Sequence, residues 1–186
     1  MTQFEYLIPF VGIIYALSAT DLLVSTHRII VERHHIKFHL VPFVWALVAF
    51  LLIVNAWWGF LQLNDKITLE NAGQLFVLSL LALTVFLISS LSLPHQVNQN
   101  LCMWEYFCKQ KTALYLCHTV YLVLIPVVLG SFADDINTAQ VSRNVVLSII
   151  FVGLIWVKHW GWHLTAGILF SMALLTSIFK QSIVLQ

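Results

Sequence analysis

Six runs of mostly apolar residues, separated by short polar breaks, make up most of the chain: 4–24, 39–63, 71–93, 112–130, 141–157 and 162–179. A helix needs roughly 20 such residues to cross the hydrocarbon core of a bilayer, so the pattern predicts about six spans. The breaks carry turn and charge chemistry: Asn64, Asp65 and Lys66, then Pro94, His95 and Gln96, then Asp134, Asp135 and Asn137. The fifth break, 158–161, is very short and predicts that spans five and six are antiparallel neighbours pivoting at Gly161. In the third, 99–111, Leu101, Trp104, Phe107 and Cys108 stand among polar residues at helical spacing, the pattern of an amphipathic helix lying on the membrane surface.

Composition strengthens this picture. Of 186 residues, 60% are hydrophobic and 9% charged, against about a quarter charged in an ordinary soluble domain. Mean hydropathy is +0.90. The expected fold is therefore all-α: a polytopic transmembrane helical bundle forming one domain over 1–186. A net charge of +1 offers no electrostatic footprint for nucleic acid, so soluble-enzyme and DNA-binding classes are excluded.

Charge also orients the chain. The first, third and fifth connections hold Arg28, Arg33, Lys37, Lys109, Lys111 and Lys158, while the other side holds Lys66, Arg143 and Lys180. Basic residues in short loops favour the cytoplasm, which predicts both termini outside and a multi-pass protein of the inner, cytoplasmic membrane. Trp57 and Trp58 fall near the outer boundary, and Trp104, Trp156, Trp160 and Trp162 near the inner one, as interfacial aromatics should. The N-terminal residues lack the basic segment of a signal peptide, so no cleavage is expected.

Polar residues inside the spans supply the candidate chemistry. In span one, Ser18, Asp21, Ser25 and Arg28 share a narrow arc, with Gly12, Ala16 and Thr20 forming a small-residue stripe nearly opposite, which predicts burial on two sides. Asp21 has two readings: a structural partner of Arg28, or a proton or ion site. In span four, Lys111, Tyr115 and His118 share a face and Pro126 should bend the helix further out. At 1.5 Å per residue, His118 lies about 10 Å inward from Lys111 and Asp21 about as far from Arg28, so the two would meet at one depth if spans one and four touch. A satisfied core histidine is the competing reading. Asn55 reads as helix-to-helix glue, and Ser89, Ser90 and Ser92 as residues that bond their own backbone.

All eight histidines fall toward the predicted cytoplasmic side. His35 with His39, and His159 with His163, have the i, i+4 spacing that could present two rings to a metal. No HExxH or CxxC accompanies them, and Cys102, Cys108 and Cys117 read as free thiols. With every histidine in one leaflet, haem-based electron transfer across the bilayer is disfavoured, and no cofactor is predicted. No nucleophile motif names a reaction.

Three segments together resemble a loosely defined group of small bacterial inner-membrane proteins with about six spans: 12–30 (GIIYALSATDLLVSTHRII), 41–60 (VPFVWALVAFLLIVNAWWGF), and the third connection with Pro94 and WEYFCKQKTALY. The resemblance implies topology and location; the group has no assigned activity, so no residue role comes with it. Three functional readings follow. One is a channel or transporter-like protein for protons or small ions, with a cytoplasmic-side polar vestibule built from Asp21, His118, Ser18, Ser25, Arg28 and Tyr115. A second is a non-catalytic accessory or scaffold protein that binds a partner membrane protein, another copy of itself or anionic lipid. The third is an inner-face metal-binding protein or membrane enzyme using His35, His39, His159 and His163.

Overall fold

The computed structural model describes residues 3–62, 72–97, 100–132 and 138–183. Over these the chain forms helices α1 (Gln3–Val31), α2 (Leu40–Leu61), α3 (Ala72–Ser92), α4 (Met103–Phe132), α5 (Thr138–Leu154) and α6 (Trp160–Ile183), with two-residue strands β1 (Ile36–Lys37) and β2 (Leu101–Cys102). Five of the helices are long and apolar enough to cross a membrane. The exception is α5, which is apolar but has 17 residues, about 26 Å at the helical rise. The molecule is a polytopic helical membrane protein of five to six spans. The loops read at 64–66 and 133–137 lie outside the described residues.

The spans appear where the apolar runs place them, but two helices run past the lipid-length stretch. α1 continues through His27 and Arg28 to Val31, and α4 begins at Met103. The surface helix expected over 99–111 is therefore not a separate element. Its first described residues are Asn100, held in the left-handed region at φ 64°, and the strand β2; from Met103 onward it is the first turns of α4. Met103 and Phe107 are buried, so this stretch packs into the bundle, where a surface helix would turn its apolar side to lipid. β1 and β2 pair in parallel, Ile36 opposite Leu101 and Lys37 opposite Cys102, which ties the first connection to the third.

Helix packing departs from chain order. α3 packs against α4 and α1, α5 against α4, and α6 against α2, whereas α5 and α6 have no comparably extensive contact despite their short connection. The expected α5–α6 hairpin is thus splayed, bridged by side chains such as Phe151 and Phe170, whose rings lie 5.1 Å apart. Gly161 is not its pivot. The chain turns over residues 155–159, and Gly161 already belongs to α6.

Gly167 explains why α6 prefers α2. A Cβ there would come within 2.6 Å of Val44 Cγ1 and 3.5 Å of Trp45 Nε1. A β-branched side chain cannot easily swing aside, so only glycine allows this approach. α1 is buried along one face, which includes Val11, Tyr15, Ser18, Leu22, Ser25 and Ile29. The second buried face expected at Gly12, Ala16 and Thr20 does not form. Gly12 meets the Trp57 ring, but Ala16 and Thr20 are exposed because no helix packs over them.

Candidate functional site

Polar chemistry collects in three places. The first is where α1 and α3 end. Pro94 stops the helix after Ser92 and turns His95 back onto α1, where Arg28 donates to the His95 backbone carbonyl. The imidazole then has three polar neighbours. Nδ1 lies 3.4 Å from Asp21 Oδ1 and 3.5 Å from Ser25 Oγ, and Nε2 lies 2.9 Å from Ser90 Oγ. The Asp21 contact is an ion-pair distance, longer than a tight hydrogen bond. Asp21 Oδ2 is buried with no partner among the described residues.

Asp21 therefore pairs with His95, and Arg28 serves the loop backbone. Ser25 joins the pair. Ser18 does structural work: its hydroxyl donates to the Ile14 carbonyl at 2.8 Å, and its own carbonyl accepts from Ser89 Oγ at 2.6 Å. Of Ser89, Ser90 and Ser92, only Ser92 bonds its own helix, to Ile88; Ser89 and Ser90 reach out to α1 and His95.

The second place is an aromatic box among α2, α4, α5 and α6. Trp45 is fully buried, its ring 5.0 Å from Tyr115, 5.2 Å from His118 and 5.9 Å from Phe151. Its indole N–H donates to the His163 carbonyl at 3.2 Å. His163 Nε2 stands 3.1 Å from the Val157 carbonyl and must donate to it, which leaves Nδ1 as the acceptor for the Tyr115 hydroxyl at 2.7 Å. One neutral tautomer satisfies the whole group. Lys111 Nζ donates to the same Val157 carbonyl at 2.6 Å, which secures the exposed α5–α6 connection to α4.

His118 belongs to this box and not to the Asp21 cluster. Its Nδ1 donates to the Leu114 carbonyl at 2.8 Å, and its Nε2 is buried without a partner among Trp45, Phe151 and Phe170. Tyr115 likewise serves His163. The depth match between Asp21 and His118 is not a contact, because α4 turns this face toward α2, α5 and α6.

The four histidines with metal-like spacing are occupied differently. His39 caps α2 with Nδ1 accepting from the Val41 N–H at 3.3 Å, and His159 accepts from the Gly161 N–H at 3.1 Å in the same way. His35 is exposed in the 3₁₀ turn Arg33–His35, before α2 begins, so it shares no helix face with His39. His163 is used at both nitrogens. Among the described residues no three metal-ligating side chains converge.

The third place is a cavity of about 380 Å³ in the other half of the bundle, lined by all six helices. Its origin is legible in the covalent structure. Pro126 has no N–H, so the carbonyl four residues back, Leu122, loses its helical donor. Asn144 Nδ2 of α5 supplies the replacement at 3.2 Å, reaching α4 across the gap. Tyr15, Asn55 and Tyr121 line the cavity, with Arg143 and Asn144 on the α5 side. Asn55 is no glue: its Nδ2 is buried and unpartnered among the described residues.

Of these groups, the reading of the sequence missed Trp45, His95, Tyr15, Tyr121 and Asn144. Pro126 was the available signal for Asn144, since an orphaned carbonyl in lipid needs a donor from a neighbour. The chain matches no family model, no curated protein and no solved structure. Function rests on its own geometry.

Proposed function

We propose that this protein moves protons or a small cation across the membrane, with the Asp21–His95 pair as its binding group and with the end that carries β1, β2 and His95 facing the cytoplasm. The observation that supports this most is the ability of the site to hold His95 in either charge state. When the imidazole is neutral, Nδ1–H faces Asp21 and Ser90 donates to the bare Nε2. When it is charged, the Ser90 hydroxyl turns to accept from Nε2–H. The charged or titratable groups around it are Asp21 and Arg28 on α1 and Tyr106 on α4, which feels the Asp21 charge.

Asp21 Oδ2 supports the same reading. Its buried position leaves this oxygen a free acceptor for a proton or cation at the end of the span. The buried side of α1 also carries polar groups inward from the pair, through Ser18 to Tyr15. Tyr15 lies about 9 Å along the helix from Asp21 and lines the cavity.

Proteoliposomes containing a pH-sensitive dye provide the test. Asp21→Asn is expected to abolish flux driven by a pH or cation gradient, with the helical content and melting of the protein retained. His95→Gln should change the pH dependence of the remaining flux. Absence of flux from the unmodified protein under every gradient would overturn the proposal and favour an accessory protein that binds a partner or lipid.

A further inference from the structure

The cavity beside Pro126 has features that a packing defect would not keep. Its volume, about 380 Å³, falls within the range of roughly 300–1,000 Å³ typical of small-molecule sites. Tyr15 and Tyr121 are 4% and 5% exposed, and neither hydroxyl has a hydrogen-bond partner among the described residues. Asn55 Nδ2, on a third helix, is also buried and unpaired. Three donors from three helices thus line one space.

The cavity has a polarity along the bundle axis. Tyr15 and Tyr121 sit roughly 16–18 Å along their helices from the ends Gln3 and Phe132, so they form the floor. Arg143 lies only about 8 Å into α5 and is exposed, so it stands at the rim. Among the described residues it is the sole charged side chain lining the space, and none of their acids pairs with it. Between rim and floor the walls include Leu78, Leu81, Ile125 and Val128.

We infer that this cavity binds a small organic anion: a monocarboxylate held by Arg143, with an apolar body along the aliphatic walls and an oxygen at its far end accepting from the Tyr15 and Tyr121 hydroxyls. A fixed guanidinium suits a carboxylate, and buried neutral donors suit an uncharged oxygen. This site is independent of the Asp21–His95 proposal; either can fail while the other stands.

Binding of ω-hydroxyoctanoate to the purified full chain, followed by intrinsic tryptophan fluorescence, tests it. Trp57, whose ring lies 6.1 Å from that of Tyr15, is the built-in reporter. Saturable binding is expected, with ω-hydroxyoctanamide weaker by about tenfold, the scale of one charge-assisted hydrogen bond. Arg143→Gln should abolish this preference for the acid. Tyr15→Phe with Tyr121→Phe, which removes only the two hydroxyls, should abolish the preference for ω-hydroxyoctanoate over octanoate. Equal binding of acid and amide, or a preference untouched by these variants, would overturn the inference. So would the absence of a saturable signal, or displacement by an equal concentration of short-chain phosphatidylglycerol, which would reassign the anion site to a lipid headgroup.

Discussion

The aromatic box and the cavity are built from similar residues in opposite halves of the bundle, yet they treat their polar atoms in opposite ways. Around Trp45 a tyrosine, a histidine and an indole lock together, each donor matched to an acceptor, leaving only His118 Nε2 unused. Around the cavity, the Asn55 amide nitrogen has no partner among the described residues, and Tyr15 and Tyr121 line the same space without a hydrogen bond to one of them. Donors from several helices left around one space are the mark of a site, whereas the same residue types fully paired are the mark of a scaffold.

Mutations can break this contrast. The largest effect is expected at Trp45→Ala, which removes a fully buried ring together with the donor to His163. It should destabilise the bundle by about 3–5 kcal/mol, measured as the shift in reversible unfolding in mixed micelles. A loss below 1 kcal/mol would mean that the box is not the anchor.

Gly167→Ala should cost about 1–3 kcal/mol through overpacking against Val44, and the same assay would read it. Pairing with Val44→Ala should recover most of that loss, because it removes the atom the new methyl meets.

Tyr115→Phe should cost about 1–2 kcal/mol by leaving His163 Nδ1 without its donor. Asn144→Leu should cost a similar amount in the natural background by uncapping Leu122. In a Pro126→Ala background the helix regains its own N–H, so the second cost should fall to a few tenths of a kcal/mol. Equal costs in both backgrounds would show that Asn144 acts by some route other than the orphaned carbonyl.

The smallest effects are expected in the cavity. Tyr15→Phe and Tyr121→Phe should change stability by less than about 0.5 kcal/mol, because neither hydroxyl has a bond to lose. A loss as large as that of Tyr115→Phe would erase the distinction between the two regions.

The spans were readable because lipid imposes a length rule on consecutive residues, and runs such as 39–63 and 71–93 satisfy it without reference to anything distant. Helix ends beyond the lipid were not. The polar residues that close α1 and open α4 look like loop to a hydropathy pattern, although helical hydrogen bonding continues through them. The arc of Ser18, Asp21, Ser25 and Arg28 was visible from helical spacing, and Asp21 and Ser25 do share one cluster. Its centre, His95, was hidden in a Pro-His-Gln turn, since nothing local says which helix a turn folds back upon. Tyr15 and Tyr121 passed as ordinary span residues because an unpaired hydroxyl is a property of the assembled bundle and has no signature in the neighbouring sequence.

The short parallel pairing of β1 with β2 bears on how the protein is made. Ile36 and Lys37 leave the ribosome with the first helical pair, but Leu101 and Cys102 follow only after all of α3. During synthesis the first connection must therefore wait with its backbone unclasped until α3 has followed α2 into the bilayer. His95 emerges just ahead of β2, so the pairing of Asp21 is a late event too. The newborn α1–α2 pair carries an unpaired carboxylate until the third connection arrives, and the end of the molecule that holds Asp21 is the last of these contacts to be fastened.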